Sequence, residues 1–477
     1  MERVWYRRDQ EGVEAALRRG QRPDMATTMA CGPLDELVAL HEELGSLAAV
    51  EGLVSNRQRR GIEDDLLLRT AAVLPFLSTP SLSAAAGQLF GEPAILLRLG
   101  WSPLQIEIGD NERHRHAKGR QVGSLPCHPE TLRDALQRIS EESWLLAQRA
   151  GVHGLFERGL VRGQVYAVDG TGLGPGLRLV CLVCVSGQRP LIVAWRVLRG
   201  DASEKGKEAS VTRSLIEQTL ELGGPGSISL LLADALYADG PLLAWCKYVQ
   251  GIDMLVPIPH DREIHRDLEG LANGGLLRFE RHSYVRRIQG HKQRRSLELG
   301  ARHGLTGWDS FIAAAKQYGA HEPCLWACLV RPLDPTGPDD KPWTLVSTRP
   351  WESGVVGYRA FRRRWHIEND GYRELKEGWG LEAQRWGRDP LVQSGRITFT
   401  CLAFNTAQLY LSQAGKNVAA KGIRRLRRLF RRELGATPTV IYIEDRFAIF
   451  PLEKLLRILG VPTRRSLMPR LHAAKPP

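Results

Sequence analysis

Between residues 165 and 258 the chain alternates short apolar runs with strong breakers, an order that few folds can accommodate. Residues 165–169, Val-Tyr-Ala-Val-Asp, read as a buried strand that ends on an acid. Two further apolar runs follow at 177–186 and 191–198, joined by the turn Ser-Gly-Gln-Arg-Pro at 186–190. A helical pattern at 209–222 runs into the break Gly-Gly-Pro-Gly at 223–226. Residues 227–233 form another apolar strand, and it too runs into an acid, Asp234. A short helix at 241–248 leads to a fifth strand at 253–258.

The predicted order is therefore β-β-β-α-β-α-β, the strand and helix order of an RNase H-like core. The fold class this implies is α/β, with a mixed central sheet. On either side the pattern changes. Residues 1–160 read as a helical N-terminal region suited to DNA binding or dimerisation, with apolar spacing of three and four at 34–53, 64–76 and 131–147. A polar, basic arm is expected at 111–120. Residues 161–259 form the first part of the core. Residues 260–345 alternate polar and apolar side chains (Phe279, His282, Tyr284, Arg286, Ile288), which predicts a β-rich insertion. The core resumes in 346–413 with a long helical stretch at 352–377. Residues 414–477 read as a helical C-terminal region with a basic block at 421–432.

Charge narrows the partners. Lys and Arg number 66 against 53 Asp and Glu, a formal net charge of +13 in 477 residues, and such an excess favours nucleic acid. Residues 1–20 are crowded with Arg and Glu and lack an apolar signal region. The longest apolar runs, such as 179–185, are too short to span a bilayer. A cytoplasmic protein with no membrane partner is expected. Eight cysteines in so long a chain do not make a disulfide scaffold. Cys181 and Cys184 are spaced like half a zinc knuckle, but on a strand residues three apart face opposite ways, so both are expected to be structural.

Phosphodiester chemistry with two hard cations needs carboxylates converging from separate segments, because Mg2+ takes oxygen ligands in octahedral geometry. Asp169 and Asp234, each after an apolar strand, fall at a carboxyl edge where α/β sheets bind ligands. A third acid is expected from the helix after the last core strand. There Arg364, Glu368, Tyr372 and Lys376 recur every fourth residue and predict one ridge of two cations, an acid and an aromatic. That set suits a phosphate backbone beside a metal.

These blocks resemble the DDE transposases of bacterial insertion sequences, in the branch with a Tyr-Arg-Glu-Lys signature and a β-strand insertion between the second Asp and the Glu. The matching segments are Asp169-Gly-Thr171, Ala233-Asp234-Ala-Leu-Tyr237, and Arg364-Trp-His-Ile-Glu368 with Arg373-Glu-Leu-Lys376; together they cover roughly 160–410. The resemblance implies that Asp169, Asp234 and Glu368 are catalytic and hold two Mg2+ ions, for which Mn2+ may substitute. It implies DNA contacts from Arg364, Trp365, Tyr372, Arg373 and Lys376. The implied activity is metal-dependent cleavage at transposon ends and transfer of the 3′-hydroxyl into target DNA. The implied partners are double-stranded DNA and a second copy of the chain, near the bacterial nucleoid. Two positions depart from the signature. Phe361 stands where the family has Tyr, and Lys376 lies eight residues after the Glu rather than seven, as though one residue were inserted around 369–371.

Other readings remain open: a metal-dependent nuclease of the same fold, or an inactive DNA-binding derivative. The basic stretch 286–295 would serve any of them, since phosphate contacts give affinity without revealing the reaction. The glycine cluster 170–176 fits neither GxGxxG nor the P-loop pattern, and the segment after it reads as a strand where a phosphate-cradling loop would open a helix.

Overall fold

The computed structural model describes residues 7–28, 34–57, 61–77, 81–83, 88–108, 126–203, 207–288, 291–334, 341–383, 386–413, 423–424, 426 and 438–460. The basic arm 111–120 and most of the basic block 421–432 lie outside them. The chain divides into two compact units, Val152–Lys376 and Met1–Gly151 with Glu377–Pro477.

The first of these is built on one nine-stranded sheet. Its strands are β1 (Val165–Gly174), β2 (Leu177–Cys184), β3 (Leu191–Arg199), β4 (Leu230–Leu232), β5 (Asp253–Ile258), β6 (Phe279–Ile288), β7 (His291–Leu305), β8 (Leu325–Pro332) and β9 (Trp343–Ser347). They lie in the order β3-β2-β1-β4-β5-β9-β8-β7-β6. The first three form an antiparallel meander joined by tight turns. β4 and β5 run parallel to β1, and parallel neighbours need crossovers. The helices α1 (Thr212–Gly223) and α2 (Gly240–Tyr248) lie in those crossovers. Central strands covered on both faces read as unbroken apolar runs, as Leu230, Leu231 and Leu232 do; all three are buried. This mixed α/β sheet is compatible with an RNase H-like arrangement.

The segment 260–345 carries three long strands, but they are not a separate layer. β9 pairs antiparallel with β5, and β8, β7 and β6 continue from it, so the insertion widens the core sheet. It also holds two helices that the alternating pattern did not announce, α3 (Glu263–Asn273) and α4 (Asp309–Gln317). After β9 the chain enters α5 (Gly354–Phe361), whose Gly357 lets the helix backbone approach the ring of Trp326 on β8; a Cβ there would lie 2.5 Å from that ring.

In the other unit the helix Pro390–Gln413 is buried along most of its length among Leu34–Glu43, Asp64–Val73 and Pro129–Leu136. Its buried face includes polar side chains such as Gln393, Arg396 and Asn405 beside Phe399 and Phe404, so burial here is set by packing on all sides and not by an apolar sequence alone. The expectation of a purely helical C-terminal region is corrected here. Pro438–Ile443 and Arg446–Pro451 form a hairpin, turning at Glu444 with φ of 58°. The hairpin is flanked by Arg7–Arg8 and Met25–Thr28 to make a four-stranded sheet. Residues from Glu377 onward group with this unit, whereas the sequence assigned 346–413 to the core. Among the described residues no helix is long and apolar enough to cross a membrane.

Candidate active site

Strand register brings the first two acids together. Ala167 on β1 pairs with Leu232, the last residue of β4, so Asp169 and Asp234 each lie two residues beyond that pair, the first on β1 and the second in the turn that follows β4. Adjacent strands lie about 4.8 Å apart. β1 does not end at Asp169, as the sequence suggested, but runs on to Gly174 against β2, with Asp169 facing Cys181. β4 stops at Leu232, so beyond that point β1 has lost its neighbour on that side. The acid lies where one strand outlasts the next.

Asp169 is 8% exposed. Its Oδ1 accepts from its neighbour's Gly170 N–H at 2.7 Å, and its Oδ2 accepts from Arg364 Nη1 at 3.2 Å. Burial pushes its carboxyl up to about 7; Arg364 opposes this, and the negative charges of Asp234 and Glu368 reinforce it. Asp234 caps a short turn through Leu236 N–H at 2.8 Å. Its pKa is also raised, by burial first, with Glu208 and Glu368 adding and the Leu236 N–H and Arg364 opposing. Glu368 is half exposed and accepts from Arg364 Nη2 at 2.6 Å. All three acids thus share one field, and one guanidinium links the first to the third.

Two of the residues expected to touch DNA are placed otherwise. Arg364, 8% exposed, is engaged by Asp169 and Glu368, so as it stands it balances the acids and does not face a phosphate. Tyr372 is 5% exposed, and its hydroxyl donates to the Asp169 carbonyl while accepting from Cys181 N–H at 3.1 Å. It bridges the two facing backbones of β1 and β2 and is not available to a ligand. The reason is helical pitch. Ile367–Tyr372 and Glu374–Gly378 are π-helical, bonding i to i+5, so a four-residue step falls short of a full turn where in an α-helix it passes one. The expected ridge therefore holds from Arg364 to Glu368 and breaks beyond it, leaving Glu368 half exposed and Tyr372 inside. The extra residue between Glu368 and Lys376 falls in this widened stretch. Trp365 is half-buried with Arg362 stacked on it at 4.8 Å, Arg373 is exposed, and Lys376 is half-buried.

Two participants were not singled out by sequence reasoning, and a third, Tyr372, was expected in another role. Glu208 is buried at the start of a short turn before α1, and its Oε1 accepts from Arg178 at 2.5 Å. It packs so tightly on Gly170 that a Cβ there would lie 2.4 Å from Glu208 Cγ, which accounts for glycine after the first acid. Tyr237 is buried, and burial followed by Asp169, Asp234 and Glu208 raises its pKa; its hydroxyl has no partner in the structure. The third is Tyr372 in its bridging role. An acid before a helix ordinarily reads as a favourable N-terminal charge, so only the fold reveals Glu208.

The donor set is all oxygen, which suits a hard divalent ion. Among the described residues no three acid, histidine or cysteine side chains are gathered closely enough to grip a single ion, because Arg364 stands between Asp169 and Glu368. The chemistry of the donors fits; the charge is balanced here by arginine.

Residues 175–405 match the family of the transposase DDE domain. The matched span contains Asp234, Glu368 and Arg364 and begins just after Asp169, the acid whose position the β1–β4 register supplies. It supports transposase function. No curated protein matches the chain.

Proposed function

We propose that this chain is a DDE transposase with an RNase H-like core, in which Asp169, Asp234 and Glu368 hold two Mg2+ ions, replaceable by Mn2+. The observation that carries the reading is the β1–β4 register that aligns Asp169 with Asp234, joined to Glu368 through Arg364. The DDE-domain match supports it. Bound divalent ions would supply activation of the attacking water or 3′-hydroxyl and stabilisation of the departing 3′-oxygen.

The chain's own residues do the positioning. Tyr372 fixes the backbone of Asp169, and the Leu236 N–H orients Asp234. Arg364 neutralises the cluster until cations and phosphate take its place. Cleavage at transposon ends precedes attack of the freed 3′-hydroxyl on target DNA, with double-stranded DNA as substrate and a pair of chains holding the two ends. This assigns the chain to the Tyr-Arg-Glu-Lys branch of insertion-sequence enzymes, acting in the cytoplasm at the nucleoid. The test is cleavage and joining of end-containing DNA with Mg2+ or Mn2+. Asp169→Ala, Asp234→Ala and Glu368→Ala are each expected to abolish both steps, and retention of both by any one of them would overturn the site. Cleavage without joining would point to a nuclease instead.

A further inference from the structure

A second concave site lies at the opposite ends of the strands that carry the acids. Val165 and Leu230, which open β1 and β4, form part of the floor of a cavity of about 390 Å³. Val165 is four residues before Asp169, or about 13 Å along the strand. The remaining walls include Arg349 and Trp351, just past β9, and Arg359 and Arg363, four residues apart along the helical run of α5.

Three arginines therefore border one hollow whose own surface is mostly apolar. None of them has an ion-pair partner among the described residues. Asp253, opposite Leu230 in the sheet, has its carboxylate already held by Lys247 at 2.7 Å and by Thr348 at 3.0 Å. Like charges one helical turn apart repel, and nothing in the cavity offsets that repulsion. Arg349 also stacks on the Trp351 ring at 4.3 Å, while the indole N–H of Trp351 is buried with no acceptor. Three arginines without ion-pair partners around one hollow are the complement of a phosphate, which offers several acceptor oxygens and takes arginine bidentately.

We propose that this pocket is a phosphate-binding site separate from the carboxylate centre, and that it takes a phosphodiester of the DNA backbone. The choice of DNA over a free anion rests on the transposase reading. A duplex of ten base pairs is about 34 Å long, so the offset from Asp169 is well within the length of a bound end.

The experiment uses the full chain without divalent metal and measures binding of a short fluorescent duplex of arbitrary sequence across a salt series. The double substitution Arg359→Gln/Arg363→Gln is expected to weaken binding about tenfold near physiological salt and to lower the slope of log affinity against log salt by about 1, the share of one phosphate. Arg158→Gln/Arg266→Gln, exposed arginines outside the pocket, is the control. An unchanged slope in the pocket variant, or an equal change in the control, overturns the proposal. Calorimetry with inorganic phosphate separates the two sources of the group. Phosphate binding that the pocket variant loses while duplex affinity stays constant would support a phosphate site and overturn its assignment to DNA. Because the readout is metal-free binding, a failure here is distinguishable from a failure of the triad variants to abolish cleavage.

Discussion

Tyr372→Phe is the substitution that tests most directly how the site is held. The change removes one oxygen and leaves the ring in place. Two backbone groups lose one of their contacts: the Cys181 N–H, which donates to that oxygen at 3.1 Å, and the Asp169 carbonyl, which accepts from it. Asp169 and Cys181 face each other in the β1–β2 ladder, so neither group is stranded. Losing a hydrogen bond from groups that stay paired costs about 0.5–1.5 kcal/mol. This is well within the roughly 5–15 kcal/mol that a domain usually has, so the variant should fold. At about 2–4 °C per kcal/mol, melting should fall by roughly 1–6 °C. The consequence for chemistry follows from Asp169 sharing that backbone. A displacement of about 1 Å at a reacting group can cost on the order of a hundredfold in rate, so metal-dependent cleavage should drop about 10- to 100-fold. Duplex affinity should not change, because the hydroxyl is buried. The assays are thermal unfolding, end cleavage under single-turnover conditions, and metal-free DNA binding. An equal loss of binding and cleavage would return Tyr372 to the DNA surface, and wild-type stability with a wild-type rate would refute the bridging role.

Arg364→Gln should tighten Mn2+ binding by roughly tenfold, since it removes a cation lodged between Asp169 and Glu368, while reducing cleavage; paramagnetic titration of free Mn2+ checks the first effect. Gly170→Ala drives a Cβ to 2.4 Å from Glu208 Cγ and should cost about 1–3 kcal/mol in urea unfolding, part of which Glu208→Asp in the same chain should restore. His41 is fully buried beside Thr406, and burial holds its imidazole down to about 3, against an ordinary value of 6.5. The unfolded chain therefore binds a proton that the folded chain refuses. Its contribution is intact above pH 6.5 and erodes by about 1.4 kcal/mol for each pH unit between 6.5 and 3. Unfolding free energies measured from pH 7 to pH 5 should show a smaller decline in His41→Gln; an identical decline would clear His41 of the effect.

What could be read from the sequence was what neighbours along the chain decide. Strands such as Leu230–Leu232 are apolar on both faces because both faces are covered, so their existence and order could be read directly. The same pattern nominated Asp169 and Asp234, although Asp169 proves to lie within its strand and not at its end. Features set by distant segments could not be read. Arg7–Arg8 pairs with the hairpin strand Arg446–Pro451 more than four hundred residues away, and no local periodicity records that partner. Glu208 is a first-turn acid by pattern and becomes part of the site only because β1 and the turn before α1 close on Gly170. The helix carrying Glu368 shows the same limit within a single element. A four-residue repeat reads as an α-helical ridge, yet the stretch is wound as a π-helix, and a change of pitch leaves no mark in residue type. Its effect is large: the repeat that would have lined up Glu368 and Tyr372 toward DNA instead leaves Glu368 half exposed on Arg364 and turns Tyr372 onto the backbone of Asp169. The pitch thereby does what the spacing alone could not, tying the third acid's helix to the first acid's strand through one hydroxyl and one guanidinium.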